Sequence, residues 1–324
     1  MSYQPPFTIT PEIIDLISEI SEQVGFVQRD FVNASPQLRK QNRIKTITGT
    51  LQIEGNTLTE EQVSAVLAGK PVLATMRELS EVEGAIAAYD KLAQFNPLSL
   101  DDLLLAHDLM MEKVLTNAGH FRAKSVGIYK GSEVIHVAPP AHQVSGLMAD
   151  LFQWMKNSQH HPLITSSVFH YEFEFIHPFV DGNGRMGRLW QTLMLIQWKP
   201  LFENLPLESV IKEHQQDYYD ALGGSDNEAN STEFIVFMLH AIVQTIEKNA
   251  PVKTPANALV NIHGLKTPDA IIVLIQNDSS ITRQQMVEQI GKNIRTIGRA
   301  IKKLQEEGKL QRVGSDKTGQ WEVL

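Results

Sequence analysis

Apolar residues recur at every third or fourth position along most of the chain, which is the spacing of a helix with one buried face. From Thr10 to Val24 this pattern includes a proline in the first turn and predicts an opening helix. The same spacing predicts further helices over residues 37–51, 59–67, 75–95, 144–155, 164–176, 185–198 and 233–248. We therefore expect a mainly α fold.

Two segments depart from the helical spacing. Residues 121–129 and 133–138 have the composition of strands on either side of a Lys-Gly-Ser turn, and Pro139-Pro140 ends the second strand. They predict a β-hairpin in an otherwise helical protein. The polar, glycine-containing residues 223–231 predict a loop before the helix that starts at 233.

The last part of the chain is predicted to fold separately. Residues 251–266 have the prolines and small polar residues of a linker. The pattern after them predicts helices over 270–275, 282–290 and 293–306 and strands over 310–313 and 320–323, the order of a winged helix-turn-helix. We expect four parts: an N-terminal helical region 1–95, a main domain 96–250, the linker 251–266 and the winged helix 267–324.

The composition narrows the classes of protein and of site. The 324 residues include no cysteine, which excludes disulfides, thiolate metal sites and a cysteine nucleophile. The formal net charge of −8 argues against nucleic-acid binding by the chain as a whole. Because no basic leader and no long apolar run is present, we expect a cytoplasmic protein that does not contact a membrane.

The segment from His177 to Arg188 carries the strongest chemical signal. Within it, Gly182-Asn183-Gly184 opens a predicted helix. Glycines let backbone N–H groups approach an anion, and a helix N-terminus adds partial positive charge. Arg185 and Arg188 lie three residues apart on one face, where both can bind phosphate oxygens. The segment therefore predicts a site for a phosphate chain.

Two further residues of this segment indicate a reaction. Asp181 can hold a Mg²⁺ or Mn²⁺ ion that bridges the phosphates, and His177 can take a proton from an incoming hydroxyl group. The predicted reaction class is displacement at phosphorus. Spacing alone leaves an alternative open, since His170, Glu174 and His177 lie on one helix face and could together bind a metal ion.

The segment His177-Pro-Phe-Val-Asp-Gly-Asn-Gly-Arg-Met-Gly-Arg188 resembles the signature of the Fic family, His-Pro-Phe-x-(Asp/Glu)-Gly-Asn-Gly-Arg-x-x-Arg, at every specified position. The resemblance covers residues 100–240 and implies a helical Fic core. It also implies transfer of AMP from ATP to a Ser, Thr or Tyr hydroxyl of a protein, with release of pyrophosphate. His177 would be the catalytic base and Asp181 the metal ligand. The residues that it implies for ATP binding are Gly182, Asn183, Gly184, Arg185, Met186, Gly187, Arg188, Tyr218 and Tyr219.

The resemblance also implies a role for the predicted hairpin. Fic proteins use such a hairpin as a flap that holds the target chain in extended form by strand addition. The residues that match the flap are Glu133, Val134, Ile135, His136 and Val137.

An upstream segment, Thr50-Leu-Gln-Ile-Glu54-Gly55-Asn56, resembles the inhibitory motif (Ser/Thr)-x-x-x-Glu-(Gly/Asn) of many Fic proteins. The resemblance implies that Glu54 pairs with Arg188 as a bidentate carboxylate in the place of the γ-phosphate, and so borders the ATP site. It also implies that the same glutamate assists hydrolytic removal of AMP. The alternative interpretation is that Glu54 is only a helix-terminal acid before a Gly-Asn cap.

The function expected from these observations is self-restrained protein adenylylation, acting on target proteins and on the enzyme itself, with a homodimer as the assembly. Two alternatives stay open. One is a transcriptional regulator whose main domain senses nucleotide and whose tail binds DNA, because the tail has nine Lys/Arg against seven Asp/Glu. The other keeps the enzyme but changes the donor to UTP or CDP-choline, or changes the reaction to phosphorylation. For the DNA-binding alternative, the basic residues on the predicted recognition helix of the tail are Lys292, Arg295, Arg299, Lys302 and Lys303.

Overall fold

The computed structural model describes residues 3–32, 35–130, 133–249, 265–277, 279, 281–313 and 320–323. The chain divides into two compact units, Met1–Pro251 and Val252–Leu324. Almost all of the predicted linker, 251–266, lies outside the described residues, and the finer division of the first unit at residue 96 stays a prediction. Across the described ranges, no helix is both long and apolar enough to cross a membrane.

The first unit consists of eleven α-helices, two short 3₁₀ turns and one hairpin within the residues described, so the predicted mainly α fold is confirmed. Strands β1 (Gly127–Lys130) and β2 (Glu133–Val137) pair antiparallel, and the register shifts between Ile128 and Tyr129. The helices are α1 Pro11–Val32, α2 Pro36–Ile53, α3 Glu60–Leu67, α4 Met76–Asp90, α5 Leu100–Met111, α6 Ala141–Asn157, α7 Pro162–Ile176, α8 Asn183–Trp198, α9 Leu207–Glu213, α10 Gln215–Glu228 and α11 Thr232–Asn249.

Local sequence explains where several of these helices begin. The hydroxyl groups of Thr59 and Thr75 accept hydrogen bonds from backbone N–H groups at the starts of α3 and α4. The side chains of Gln62 and Glu78 bond back to the backbone of the two threonines, which completes a capping box at each helix. These caps fix where the two helices after the turn at Glu54 begin.

The predicted loop at 223–231 is wrong, because α10 continues through Glu228 and ends at Ala229 with φ 48°. Burial overrides the low helix propensity of the two glycines in this stretch. Ser225 is buried and its hydroxyl accepts the N–H of Phe234, while Gly224 lies so close to Glu233 that a Cβ would meet its carboxylate at 2.1 Å. Helix α10 therefore packs directly on α11.

Helices α5 and α9 have no counterpart among the predicted helices. In α5, residues 103–105 are three consecutive leucines, which obscure the helical spacing, and α9 has only seven residues. Both helices matter for the site, because α5 packs against α4 and α8, and α9 packs against α2.

The core of the first unit is built around α7 and α8, which pack along each other. Twelve of the fifteen residues of α7 are buried, so this helix is surrounded on nearly all sides. Phe169, Phe173 and Trp190 are among the largest fully buried side chains. The turn between α7 and α8, which contains the predicted catalytic segment, is thus held at both ends by the core.

The second unit is described by itself. It contains α12 (Thr267–Asn277), α13 (Arg283–Ile290) and α14 (Ile294–Glu306), followed by β3 (Leu310–Val313) and β4 (Gln320–Val323), which pair antiparallel. Three helices followed by a two-stranded antiparallel sheet is the order that the sequence predicts. The unit has its own core, which includes Ile271, Leu274, Met286, Ile297, Ile301 and Trp321.

Gly84 allows α4 and α5 to approach closely, and this contact can be tested. A Cβ at Gly84 would lie 2.1 Å from the backbone oxygen of Met110, which cannot move aside as a side chain can. We expect Gly84→Ala to lower the free energy of unfolding by about 1–3 kcal/mol through overpacking. Urea unfolding followed by circular dichroism measures this.

Gly146 provides the matched control. It lies inside α6 and is exposed, and a Cβ added there would meet no atom within 4 Å. Gly146→Ala should raise stability by about 0.5–1 kcal/mol, because alanine is the better helix former. If Gly84→Ala raises stability as Gly146→Ala is expected to do, α4 and α5 are not packed as closely as we describe.

Candidate active site

His177 ends α7 in the left-handed backbone region, with φ 49° and ψ 60°, a conformation that non-glycine residues adopt at some cost. A buried arginine fixes this turn. Arg122 donates from Nε to the carbonyl oxygen of His177 at 2.7 Å and from Nη2 to that of Ile176 at 3.2 Å. It also donates to the carbonyl oxygens of Lys124 and Pro139, at 3.0 and 2.6 Å. Arg122 therefore sets the direction in which the predicted catalytic imidazole leaves the chain.

The loop after His177 is closed by reciprocal bonds between Asn183 and Phe179. The Asn183 side chain accepts the N–H of Phe179 at 2.9 Å and donates to its carbonyl oxygen at 3.0 Å. Gly182 takes the left-handed conformation, φ 86°, at the N-cap of α8. The buried amide of Asn183 thus serves the loop, while the first turn of α8 brings its N–H groups to the cavity described below.

His107 on α5 packs against the same loop and bonds to it. Its ring stacks on Phe179, with centroids 3.6 Å apart and planes 5° from parallel. Its Nδ1 accepts the N–H of Gly119 at 2.9 Å, so its Nε2 carries the proton and donates to the carbonyl oxygen of Asp181 at 3.0 Å. Burial lowers the pKa of His107 to about 4, so the ring is neutral at physiological pH.

Arg188 is 2% exposed and contacts the end of α2. Its Nη2 donates to Oε1 of Glu54 at 2.7 Å and to the carbonyl oxygen of Thr50 at 3.2 Å, and its Nε donates to Oγ1 of Thr50 at 3.0 Å. Burial by itself lowers the pKa of Arg188, but Glu54, Tyr218 and Glu174 together outweigh it, so that the pKa lies above its usual value. The predicted pairing of Glu54 with Arg188 is present in the fold.

The pairing differs from the prediction in one respect. Glu54 contacts Arg188 through one carboxylate oxygen, not two, because Thr50 occupies the Nε position and shares Nη2. In the described residues, Nη1 of Arg188 has no hydrogen-bond partner. One edge of this buried guanidinium is therefore available to a further acceptor.

Asp181 and Arg185 form an ion pair at the start of α8, with Arg185 Nη2 3.0 Å from Asp181 Oδ1. Arg185 is 2% exposed and also faces Glu81 on α4, at 3.7 Å. The second oxygen of Asp181, Oδ2, accepts from Nη2 of Arg77 at 2.9 Å. Both oxygens of the predicted metal ligand are thus paired with arginines.

The alternative metal set meets a physical obstacle at His170. This histidine is fully buried, its Nδ1 lies 2.6 Å from Gln191 Oε1, and its Nε2 lies 3.0 Å from the hydroxyl of Tyr218. Burial lowers its pKa to about 3. With both ring nitrogens engaged, His170 holds Tyr218 and Gln191 in place. No group of three His, Cys, Asp or Glu residues that could hold a metal ion occurs in the described part of the chain.

A cavity of about 1100 Å³ brings many of the predicted residues together. Those that line it are Glu54, His177, Asp181, Gly182, Asn183, Gly184, Arg188, Tyr218 and Tyr219. Helix α10 forms the opposite wall with Leu222, Gly223, Gly224 and Asn227, so part of the stretch predicted as a loop is a helical wall of the cavity.

Three predicted ATP-binding residues do not line this cavity. Met186 is fully buried in the core, and Gly187 faces His170 and Glu174, where a Cβ would meet their atoms at 2.7–2.8 Å. Arg185 turns toward Asp181 and Glu81. Sequence reasoning also missed Gln215, which lines the cavity and donates to the carbonyl oxygen of Ile53 at 2.9 Å. No spacing relates Gln215, Arg77, His107 or Arg122 to the motif, since their partners lie far away in sequence.

The likeness to one solved structure extends over almost the whole chain. The structure of a Fic family protein from Desulfovibrio desulfuricans G20 is 40% identical, covers 99% of this chain and 98% of its own, and superimposes with a TM-score of 0.74. The chain belongs to the Fic family. The Fic/DOC family profile matches residues 97–195. Fic-1 from C. elegans, at 23% identity over 74% of this chain with a TM-score of 0.59, shares the fold.

Curated relatives of this Fic protein carry the name protein adenylyltransferase Fic. The Aedes aegypti protein is 29% identical over 225 residues, which are 66% of this chain and 43% of that protein. The Drosophila melanogaster protein is 28% identical over 244 residues, or 72% and 46%. The chain thus spans less than half the length of these curated relatives.

The hairpin of this Fic protein lies close to the cavity, since β2 packs near α10. The side chains of residues 128–136 lie outside the described part, which includes the predicted flap residues Glu133, Val134, Ile135 and His136. Val137, at the end of β2, is 74% exposed. The role of these five residues as a flap stays a prediction.

The burial of Arg188 gives a stability prediction for the Fic protein. Glu54→Gln leaves a buried guanidinium without its charged partner, and we expect the free energy of unfolding to fall by about 1–3 kcal/mol. Thr50 keeps its two bonds, and Glu54 is 29% exposed, which moderates the loss. Added sulfate should stabilise the variant more than the wild type, because the anion can bind at Arg188. Thermal unfolding with and without sulfate measures both effects.

Glu83→Gln is the control for this measurement. Glu83 pairs with Lys113 at 2.6 Å, and both side chains are about half exposed, so its loss should cost less than about 1 kcal/mol. Sulfate should not distinguish this variant from the wild type. An equal response of both variants to sulfate would contradict an anion requirement at Arg188.

Proposed function

We propose that this protein transfers AMP from ATP to Ser, Thr or Tyr hydroxyl groups of target proteins and of itself, and that Glu54 restrains the transfer. One observation carries the proposal. A cavity contains an imidazole, a helix N-terminus and a buried arginine in reach of one another, and a carboxylate from another helix lies on that arginine. The curated adenylyltransferases among its relatives support the same activity.

The start of α8 provides the phosphate site in this proposal. Gly184 has no side chain, and a Cβ there would lie 2.3 Å from Glu54 Oε1 and 3.0 Å from Arg188 Nη1. A ligand can therefore approach both the backbone N–H groups and the guanidinium at this point. Arg188 would bind the γ-phosphate, while the first turn of α8 would bind the α- and β-phosphates.

His177 provides the base. Its imidazole takes the proton of the target hydroxyl as the oxygen attacks the α-phosphorus. The bond from the α-phosphorus to the bridging oxygen breaks, and pyrophosphate leaves with the negative charge that Arg188 and the helix N-terminus stabilise. The hydroxyl oxygen ends as a phosphodiester carrying AMP. We include the reverse hydrolysis of that ester, for which Glu54 is the candidate assisting group.

Asp181 is the residue that would hold Mg²⁺ or Mn²⁺. Its side chain is 32% exposed at the edge of the cavity, and Arg77, the partner of Oδ2, is 65% exposed. A single carboxylate fits a hard cation that takes its other ligands from phosphate and water oxygens. The ion would supply charge neutralisation for the phosphate chain.

Restraint follows from the position of Glu54. Its carboxylate lies against the same atoms of Gly184 and Arg188 that a phosphate chain needs. Like charges repel, so the carboxylate and a γ-phosphate exclude each other at Arg188. ATP bound without its γ-phosphate in this position would not present the α-phosphorus in line with the attacking hydroxyl.

In this proposal the hairpin binds the target segment. Among the described residues, β2 pairs only with β1, so its other edge has backbone groups free for an added strand. Because β2 lies near α10, a target strand on that edge would pass along the rim of the cavity. Sequence specificity is then low, since backbone groups supply most of the contacts.

Self-labelling with ATP carrying a radioactive α-phosphate tests the transfer and the restraint together. We expect weak labelling of the wild type, labelling at least tenfold stronger for Glu54→Gly, and none for Glu54→Gly combined with His177→Ala. The glycine removes the competing carboxylate, and the alanine removes the base. Labelling of the double variant by ATP would exclude His177 as the base.

Two other outcomes would reject parts of the proposal. Equal labelling of the wild type and Glu54→Gly would show that Glu54 does not restrain the reaction. If label enters none of the proteins, while ATP carrying a γ-label marks them, the reaction is phosphorylation and not AMP transfer.

The second unit supports a second candidate activity, DNA binding. On α14, Lys302 and Lys303 have Glu306 and Glu307 as partners at 3.9 and 3.8 Å. Arg295 and Arg299 are exposed one turn apart on the same helix, and neither has an ion-pair partner in the described part of the chain. Two such arginines can bind phosphates or base edges of a duplex.

Gel shifts with random duplex DNA at several salt concentrations test this activity. We expect the double change Arg295→Gln and Arg299→Gln to weaken binding at least tenfold and to lower the salt slope by about two. The double change Lys302→Gln and Lys303→Gln removes the same charge from paired residues and should have a smaller effect. Absence of any shift with wild-type protein at low salt would exclude DNA binding.

A further inference from the structure

Arg77 forms a bridge at the rim of the candidate nucleotide site. It lies in the first turn of α4, and its Nη2 donates to Asp181 Oδ2 at 2.9 Å. Its Nε donates to Glu81 Oε1 at 3.0 Å, one turn along the same helix. A guanidinium from far outside the segment His177–Arg188 thus occupies one oxygen of the carboxylate proposed to hold the divalent cation.

Glu81 fixes this arginine in place. It is 8% exposed, faces Arg185 Nη1 at 3.7 Å, and accepts from Asn56 Nδ2 at 3.0 Å through its other oxygen. Asn56 follows the Glu54-Gly55 turn directly. Arg77 is therefore anchored at Nε by a buried carboxylate, while only its Nη2 end extends to Asp181.

We propose that Arg77 is a tethered cation that competes with the divalent metal ion for Asp181 and so sets the metal affinity of the nucleotide site. The proposal rests on the proposed function, because it needs ATP to bind at the start of α8. Arg77 is a positioning residue here, since it contacts neither the reacting phosphorus nor the hydroxyl.

The physical case is a comparison of two cations at one carboxylate. The Arg77–Asp181 contact is exposed on the arginine side, and exposed ion pairs contribute little free energy. A divalent ion would carry twice the charge of Arg77 and would also take phosphate oxygens of the nucleotide as ligands. Such an ion would therefore displace the Nη2 end of Arg77 from Asp181, while Nε would stay bonded to Glu81.

This competition has a measurable signature in ATP binding. The ratio of the Kd for ATP in EDTA to the Kd in Mn²⁺ measures how strongly metal and nucleotide help each other bind. When Arg77 is present, part of the free energy of metal binding is offset by the cost of displacing Arg77 from Asp181. Removing the charge of residue 77 should raise the ratio, because Mn²⁺ would then find Oδ2 of Asp181 free, while Arg185 still pairs with Oδ1.

The experiment measures both Kd values by calorimetry on full-length Glu54→Gly protein, in which the nucleotide site is open. We expect Arg77→Gln to raise the ratio about two- to fivefold, the size of effect of one exposed ion pair. The control is Arg43→Gln, which removes an arginine from the exposed Arg43–Asp90 pair between α2 and α4 and should leave the ratio unchanged. In an Asp181→Asn background, Arg77→Gln should have no effect on the ratio.

The outcomes separate this inference from the proposed function. An unchanged or lower ratio in Arg77→Gln, or an equal rise in the Asp181→Asn background, overturns the role of Arg77 even if AMP transfer is intact. Failure of Glu54→Gly to bind ATP under both conditions overturns the nucleotide site and this inference with it. A raised ratio without AMP transfer supports the inference and rejects only the reaction.

Discussion

The buried guanidinium of Arg188 is the constraint on which the site depends. A charge that is 2% exposed must have a partner, because the desolvation of an unpaired buried ion costs several kcal/mol. Thr50 satisfies hydrogen bonds of Arg188 but supplies no charge. An anion completes the pairing: the carboxylate of Glu54 lies on Arg188 in this fold, and under the proposed function a phosphate of a bound nucleotide would take its place. Under the proposed function, the same requirement stabilises the Glu54–Arg188 pair and would give the site affinity for a nucleotide phosphate.

Elements that are distant in sequence fix the positions of both partners of this ion pair, Glu54 and Arg188. Helix α2 approaches α9 closely, since a Cβ at Gly49 would lie 2.8 Å from the backbone of Glu208. The last carbonyl groups of α2 accept from Lys212 and Gln215, which bind Gln52 and Ile53 at 3.1 and 2.9 Å. On the other side, Arg122 and His107 hold the turn before α8. The ion pair therefore joins two fixed supports, and its geometry does not depend on a flexible loop.

The sequence predicts the parts of this arrangement that are local. Helical spacing predicts most helices, and the motif predicts a phosphate site at the start of α8. The loop at 223–231 could not be excluded from sequence, because its glycines are tolerated only through packing of α10 on α11. Arg77, His107 and Arg122 could not be assigned either. Each acts on a backbone or side chain more than fifty residues away, and no local spacing records such a contact.

These supports also determine which movement can release Glu54. Undocking α2 would expose the buried side chains of Ile47, Leu51 and Ile53, at about 1.5–3 kcal/mol for each, and would break the bonds to its last carbonyl groups. Rotating Glu54 alone breaks one contact of a side chain that is 29% exposed, and water can solvate the freed carboxylate. An arriving phosphate replaces the lost charge at Arg188, so this route exchanges one anion for another. The rotation is far less costly, so under the proposed function we expect α2 to stay docked while the Glu54 side chain rotates away from Arg188.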